Sequence, residues 1–292
     1  MSAISAQTYN GVDVSVPARR GRRAGSIILR ALCWLSGAAT MGVLVLIVGY
    51  ILVNGVPHLK PSLFEWKYTS RNVSMLHAIL NTLTMTGLAL LFSVPVGVFG
   101  GIYLAEYAKR GSRLVRLIRV TAETLAGIPS IIYALFGMMA FVIALRMGNS
   151  ILAGALTLAV MTLPLILRQT EESLLAVPLS YREGSFGLGA GRLRTTVRIA
   201  LPVAMPGILA AVILSIGRIS GETAALIFTS GTAHRVAGLS DSGRTLAVHL
   251  FQLQQEGRYV NEAFAVAVVL LAVVALMNAL SAFVAKKLTM KG

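Results

Sequence analysis

The sequence predicts an all-α protein that crosses a membrane six times. Two observations carry that expectation. Of its 292 residues 56% are hydrophobic and only 13% charged, with a mean hydropathy of +0.77, whereas a soluble domain carries about 25% charged residues. The apolar residues also fall into six runs, each long enough for a helix to cross a bilayer, which takes about 20 residues. The net charge of +15 would suggest nucleic acid in a soluble protein. Here the basic residues flank the apolar runs, so they orient the chain in lipid and no nucleic-acid partner is expected.

The elements follow in order. Residues 1–26 read as a cytoplasmic tail, polar through Arg19-Arg20-Gly-Arg22-Arg23. A cleaved signal peptide is not expected, because the next run is too long for one. The first apolar run, 27–54, and the outer loop after it form a segment of 27–74. Phe64, Trp66 and Tyr68 in that loop suit an interfacial aromatic belt. A core of 75–285 holds the other runs, at 78–104, 127–146, 150–168, 203–230 and 262–285. Residues 286–292 form a second cytoplasmic tail. Pro95, Pro129, Pro164 and Pro206 lie in or beside these runs, where neighbouring helices satisfy the carbonyls they free. A polar outer loop, 231–261, is expected to hold a short helix around Arg244–Gln255 and to face an external partner.

Charge sets the orientation. With both ends inside, 18 of the 26 Lys and Arg residues lie in cytoplasmic pieces. Among them are Arg30, Lys109, Arg110, Arg113, Arg116 and Arg119, then Arg168, Arg182, Arg192, Arg194 and Arg198, and finally Lys286, Lys287 and Lys291. Seven lie outside, and Arg218 is left within the fifth run. That bias favours cytoplasmic termini.

Cys33 is the one cysteine. It excludes a disulfide framework and any cysteine metal site, and it reads as a small filler in the first run. His58, His77, His234 and His249 show no ligand spacing and read as structural or surface residues. No metal site is expected.

The loop 178–202 carries the strongest local pattern. Ser180 reads as a helix N-cap with Glu183 three residues on. Gly187, Gly189 and Gly191 stop that helix and permit a turn. Arg192–Leu201 is a second, basic helix leading to Pro202. The expected product is a knob lying along the cytoplasmic surface. Its spacing resembles the EAA motif of ABC-importer permeases: Glu183, Gly184 and Ser185, then Gly189, then Ile199, Leu201 and Pro202. In that motif the two small residues are alanines, here replaced by Gly184 and Ser185. The resemblance implies that the knob docks in a cleft of an ATPase, with Glu183 at the contact.

Arg218 and Glu222 are the costliest residues to place in lipid, at about 2.5–3.5 kcal/mol or more for a central arginine. Counting from Pro206 puts Arg218 roughly 18 Å along the fifth helix, near mid-bilayer. Their spacing of four puts both on one face. They read either as a structural pair or as a polar station for an anion, since a guanidinium offers paired donors to an oxyanion. Arg168, followed by Glu171 and Glu172, reads either as a surface anchor or as an inner station for the same anion. Glu106 and Glu123 read as interfacial residues.

Three further segments complete the pattern. They are Asn81-Thr-Leu-Thr-Met-Thr with Ser93-Val-Pro-Val-Gly-Val-Phe-Gly-Gly-Ile-Tyr-Leu-Ala-Glu106, Gly127-Ile-Pro-Ser-Ile-Ile-Tyr-Ala-Leu-Phe-Gly137, and Gly221-Glu-Thr-Ala-Ala-Leu-Ile-Phe-Thr-Ser230. Over about 75–285 the chain resembles the permeases of the bacterial phosphate-specific ABC importer, and among them the PstA-type subunits. The resemblance implies the type I ABC-importer permease fold. It also implies a PstC-like second permease, a PstB-like ATPase dimer, a PstS-like phosphate-binding protein outside, and roles for Arg168 and Arg218 in phosphate passage. ATP and Mg would belong to the ATPase, for the chain contains no GxxxxGK[ST] sequence. The chain itself is expected to be no enzyme and to need no cofactor. Ala225 departs from the family's frequent proline. Two alternatives stay open at this point: a permease for another oxyanion (sulfate, molybdate or phosphonate), and a stand-alone ion-coupled carrier built on Arg218 and Glu222. A membrane sensor is a third, although the sequence shows no signalling domain.

Overall fold

The computed structural model describes residues 22–109 and 111–289, with side chains omitted at 22–25 and 288–289. The expected tail through residue 21 (with Arg19 and Arg20), Arg110, and the last residues, including Lys291, lie outside the described residues.

The described residues are helical, in the order α1 (Arg22–Gly55), α2 (Leu76–Ile102), α3 (Arg113–Ala126), α4 (Ser130–Gly137), α5 (Ile151–Leu175), α6 (Leu179–Gly187), α7 (Arg192–Thr195), α8 (Leu201–Ser220), α9 (Ala224–Thr229), α10 (Leu246–Glu256) and α11 (Val260–Thr289). Wide π turns extend α2 over Tyr103–Tyr107 and α4 over Met138–Ala144, and a third, Thr196–Ala200, joins α7 to α8. The chain divides into two units after Tyr50. The first is nearly all of α1, apolar on every face, with Cys33 exposed on it rather than buried.

Among the described residues five helices are long and apolar enough to cross a membrane. The sixth expected crossing, 127–146, is reached only by joining α3 to α4, and these meet at 105°. Gly127-Ile-Pro129 causes the break. Pro129 has no N–H to continue the helix and holds the residue before it extended. The fifth expected run, 203–230, is broken as well: α8 stops at Ser220 and α9 begins at Ala224. The fourth runs past its expected end at residue 168, to Leu175. Ser150 starts it by accepting the Ala153 N–H at 3.2 Å, an ordinary N-cap.

The core of the second unit is α5 packed between α2 and α8. Tight packing rests on small residues. At Gly101 of α2 a Cβ would lie 2.6 Å from Thr170 of α5 and 2.8 Å from the Leu167 carbonyl. Met85, Ala89, Tyr133, Ile151, Leu158, Ile219 and Leu226 form one buried cluster, which joins α2, α4, α5, α8 and α9.

Candidate functional site

Two features define the site: the knob and a broken-helix groove. In the knob, α6 starts at Leu179 after Pro178, not at the expected Ser180 cap, and no side chain caps it. Pro178 pre-sets the backbone angle and removes one orphan donor, so a serine cap is not needed. Gly189 takes φ +80°, the left-handed conformation glycine adopts without steric cost. The chain then reverses into α7. Ser185 and Thr195 share a hydroxyl hydrogen bond of 2.8 Å between the two helices.

The two small residues of the motif thus face opposite ways. Ser185 is buried within the knob, while a Cβ on Gly184 would meet nothing among the described residues. Glu183 is exposed beside it. Tyr181, Phe186, Leu193 and Val197 are exposed apolar residues of the knob, and Leu188 at its tip is 91% exposed. Ile199 and Leu201 are half-buried where the knob meets α8, and Pro202 is exposed in the first turn of α8.

The knob is fixed by a residue pair that sequence reading separates. Arg182 Nη2 donates to Glu106 Oε1 at 2.6 Å and to the Leu174 carbonyl at 2.8 Å, and Nη1 donates to the Val177 carbonyl at 3.0 Å. Glu106 is therefore more than an interfacial residue. It sits buried in the π turn ending α2, and Arg182 joins it to the last carbonyls of α5. Arg192 stacks over Tyr107 at 5.3 Å. A cavity of about 700 Å³ lies behind these contacts, lined by Glu106, Tyr107, Arg119, Arg182 and Arg192 among others.

Arg218 lies in the last turn of α8, not at the middle of a continuous helix. A cation is favoured at that end of the helix dipole. It lines an open groove of about 820 Å³ with Leu165 of α5, Ala210, Ile213, Leu214 and Gly217 of α8, and Asn278 of α11. Among the described residues Arg218 has no hydrogen-bond or ion-pair partner, and the Asn278 Oδ1 is buried without one. The Tyr133 hydroxyl, which donates to the Leu125 carbonyl across the α3–α4 break at 2.8 Å, lies within electrostatic reach of Arg218.

Glu222 does not pair with Arg218. The helix that would align them ends first, and Glu222 belongs to the turn between α8 and α9. There its Oε1 accepts the Ala225 N–H at 3.2 Å, at the start of α9. The frequent family proline would have no N–H to give, so Ala225 is what allows this bond.

Arg168 is placed one turn along α5 from Leu165, on the same face, and nearer the knob. It is engaged: Nη1 lies 3.2 Å from Glu123 of α3 and Nε 2.9 Å from Glu172. Beside it Arg119 meets Glu171 at 2.6 Å. Glu123 is therefore a partner of Arg168 and not merely interfacial. Tyr133 and Asn278 were missed by sequence reading; a lone asparagine in the apolar run of α11 was the available signal.

The two broken segments meet. α4 packs on α9, so Gly127–Gly137 and Gly221–Ser230 adjoin beside Arg218. This helix order and packing are shared with known transporters. Residues 97–290 match the family described as binding-protein-dependent transport system inner membrane component. The chain belongs to this family. It is a multi-pass membrane permease subunit, a non-enzymatic component.

The family relatives are similarly named. A probable ABC transporter permease protein of Bacillus subtilis, YqgI, is 32% identical over 76% of this chain and 81% of its own length. The phosphate transport system permease protein PstA 1 of Mycobacterium tuberculosis is 38% identical over 59% of this chain and 58% of its own; the alignment thus spans under two thirds of that relative. The fold matches a permease chain in the structure of a bacterial alginate ABC transporter, with TM-score 0.61 and 16% identity over 91% of this chain and 99% of that one. It also matches a chain of the MetNI methionine ABC transporter, with TM-score 0.56 and 19% identity over 73% and 94%. The fold is that of ABC-importer permeases.

Proposed function

We propose that the chain is the PstA-type permease subunit of an ATP-driven phosphate importer. The observation that carries this reading is Arg218: a guanidinium with no ion-pair partner among the described residues, at the end of a broken helix, facing an open groove. Broken helices lining a cavity are where transporters hold polar substrates. An arginine offers two parallel N–H donors to a tetrahedral oxyanion. The phosphate transport permeases among its relatives favour phosphate over sulfate, molybdate or phosphonate.

In this reading the knob end and both termini are cytoplasmic. The exposed apolar tip and Glu183 enter the cleft of a PstB-like ATPase, which carries the ATP and Mg. A PstS-like protein delivers phosphate at the other face, and a PstC-like permease covers the open side of the Arg218 groove. Phosphate passes Arg218 first. Arg168, latched by Glu123 and Glu172, becomes an inner station when those carboxylates let go. Glu222 is held away by Ala225, so the negative charge nearest in sequence is kept off the anion's path.

The test is ATP-dependent phosphate uptake into vesicles carrying the assembled complex. Arg218→Gln should abolish uptake while the complex still co-purifies. Uptake that survives the substitution would remove Arg218 from the path. Uptake competed by sulfate or molybdate as strongly as by phosphate would move the assignment to another oxyanion.

A further inference from the structure

The transport reading leaves unused a nest of basic and aromatic side chains at the far end of α2. Helix α2 and its π turn run over 32 residues, about 48 Å at 1.5 Å per residue. Glu106 and the knob are at one end and His77 at the other. Around His77 gather Tyr68, His234, His249 and Arg244. Three of the four histidines, scattered in sequence, therefore share one site. Tyr68 belongs to it too: its ring lies 4.0 Å from that of His234, rather than facing outward with the exposed Trp66 and Phe64.

Arg244 is the anomaly. It is 1% exposed. Its Nε donates to His77 Nε2 at 3.3 Å and its Nη1 to Gln252 Oε1 at 2.6 Å, while its guanidinium lies 5.0 Å over the Tyr68 ring. Nη2 and His77 Nδ1 have no well-aligned hydrogen-bond partner among the described residues; Tyr68 stands within hydrogen-bond reach of the guanidinium, and the Val73 backbone within reach of the His249 ring. No described carboxylate forms an ion pair with Arg244; Glu256 acts on it only from a distance. Burial lowers the guanidinium only to about 10, so it stays charged at neutral pH. A buried charge of this kind requires a counter-charge. The imidazoles supply N–H donors and no negative charge, since burial and then Arg244 push His249 down to about 2.

A buried cation with a free donor at Nη2, an imidazole with a free ring nitrogen at His77, and no paired carboxylate are together the chemistry of an anion site. We propose that this nest binds a small inorganic anion of the halide class at Arg244 Nη2, with His77 and His249 beside it. The rings of His77 and His249 are 5.7 Å apart and those of Tyr68 and His249 6.4 Å, edge-to-face contact distances that leave no room for a tetrahedral oxyanion among them. The ion fastens the loop before α10 to the start of α2. Asn81 already ties the same parts, donating to the Arg235 and Arg244 carbonyls at 2.9 and 3.1 Å and accepting the Ala237 N–H at 3.1 Å.

The experiment measures the unfolding midpoint of the purified full chain in chloride, bromide, phosphate or gluconate, at one ionic strength and neutral pH. Chloride and bromide should raise the midpoint by several degrees over gluconate and phosphate, because a ligand of the folded state alone stabilises it. Crystals grown in bromide should give an anomalous peak beside Arg244. Gln252→Glu places a carboxylate against Arg244 and should raise the midpoint in gluconate while erasing the halide increment. Arg244→Gln should also erase it. Equal midpoints in all four anions would overturn the proposal. So would stabilisation by phosphate alone, or a halide increment that survives Gln252→Glu. The readout is stability, so it stands or falls separately from the transport reading.

Discussion

Glu106 and Arg182, 76 residues apart in sequence, meet at 2.6 Å with their side chains only 10% and 13% exposed. This contact joins the end of one membrane helix to the first helix of the knob. Arg182 also holds the Leu174 and Val177 carbonyls, so the two partners are not equivalent. Breaking a buried pair from one side costs about 3–5 kcal/mol, while an isosteric amide keeps part of the hydrogen bond. Arg182→Ala should therefore lower the unfolding midpoint more than Glu106→Gln. It should also expose Gly187–Gly191 to limited proteolysis. Equal effects would mean that the carbonyl bonds contribute nothing.

Gly184 and Ser185 should separate docking from folding. Gly184→Leu replaces a helix glycine where nothing in the chain stands in the way. It should leave stability unchanged or raise it by about 0.5–1 kcal/mol, yet reduce co-purification of the ATPase by tenfold or more. Ser185→Val removes the bond to the Thr195 hydroxyl, which keeps its bond to the Gly191 carbonyl at 3.2 Å, and should cost about 0.5–1.5 kcal/mol. A Gly184→Leu chain that still binds its ATPase normally would move the contact elsewhere on the knob.

Ala225→Pro tests what holds Glu222. Proline is tolerated in the first turn of a helix, so the variant should fold. It removes the N–H that Glu222 accepts and frees a carboxylate close to Arg218. Phosphate uptake should then show a raised KM with assembly intact. Unchanged kinetics would mean that the Glu222 position does not matter to the path.

Acid should loosen the histidine nest. His249, fully buried, is held at about 2 against about 6.5 when unfolded. As pH falls below about 6.5 the unfolded chain takes up the proton and the folded chain does not. Stability is therefore full above that pH and declines below it, by at most about 1.4 kcal/mol per unit for this group. His234 is lowered to about 4 but is exposed, so it adds less. Unfolding midpoints measured from neutral to acid pH should flatten in His249→Gln. A wild-type midpoint that is level over that range would contradict the burial argument.

The crossings were legible because hydropathy alone decides which runs suit lipid. The knob was legible because its glycines are a local pattern. The breaks at Gly127–Pro129 and Gly221–Thr223 were not, since apolar runs flank both and a single proline, glycine or charged residue is compatible with a continuous helix. That error carried Arg218 to mid-helix and paired it with Glu222. The partners of Arg182, Arg168 and Arg244 were hidden for another reason. Arg119 and Glu171, 52 residues apart, show the scale: helical spacing rules reach one turn, and packing chooses the rest.

Arg192–Ser220 is a single rod of 29 residues, about 43 Å long, that begins inside the knob and ends two residues past Arg218. No loop interrupts it. Displacement at one end therefore reaches the other as geometry, without relay through side chains. A tilt of about 10° about the knob sweeps the far end through about 7.5 Å for a rod of that rise, more than the width of a phosphate. The stiffness of this lever, set by the wide turn at Thr196–Ala200 near its base, decides how much of the stroke arrives.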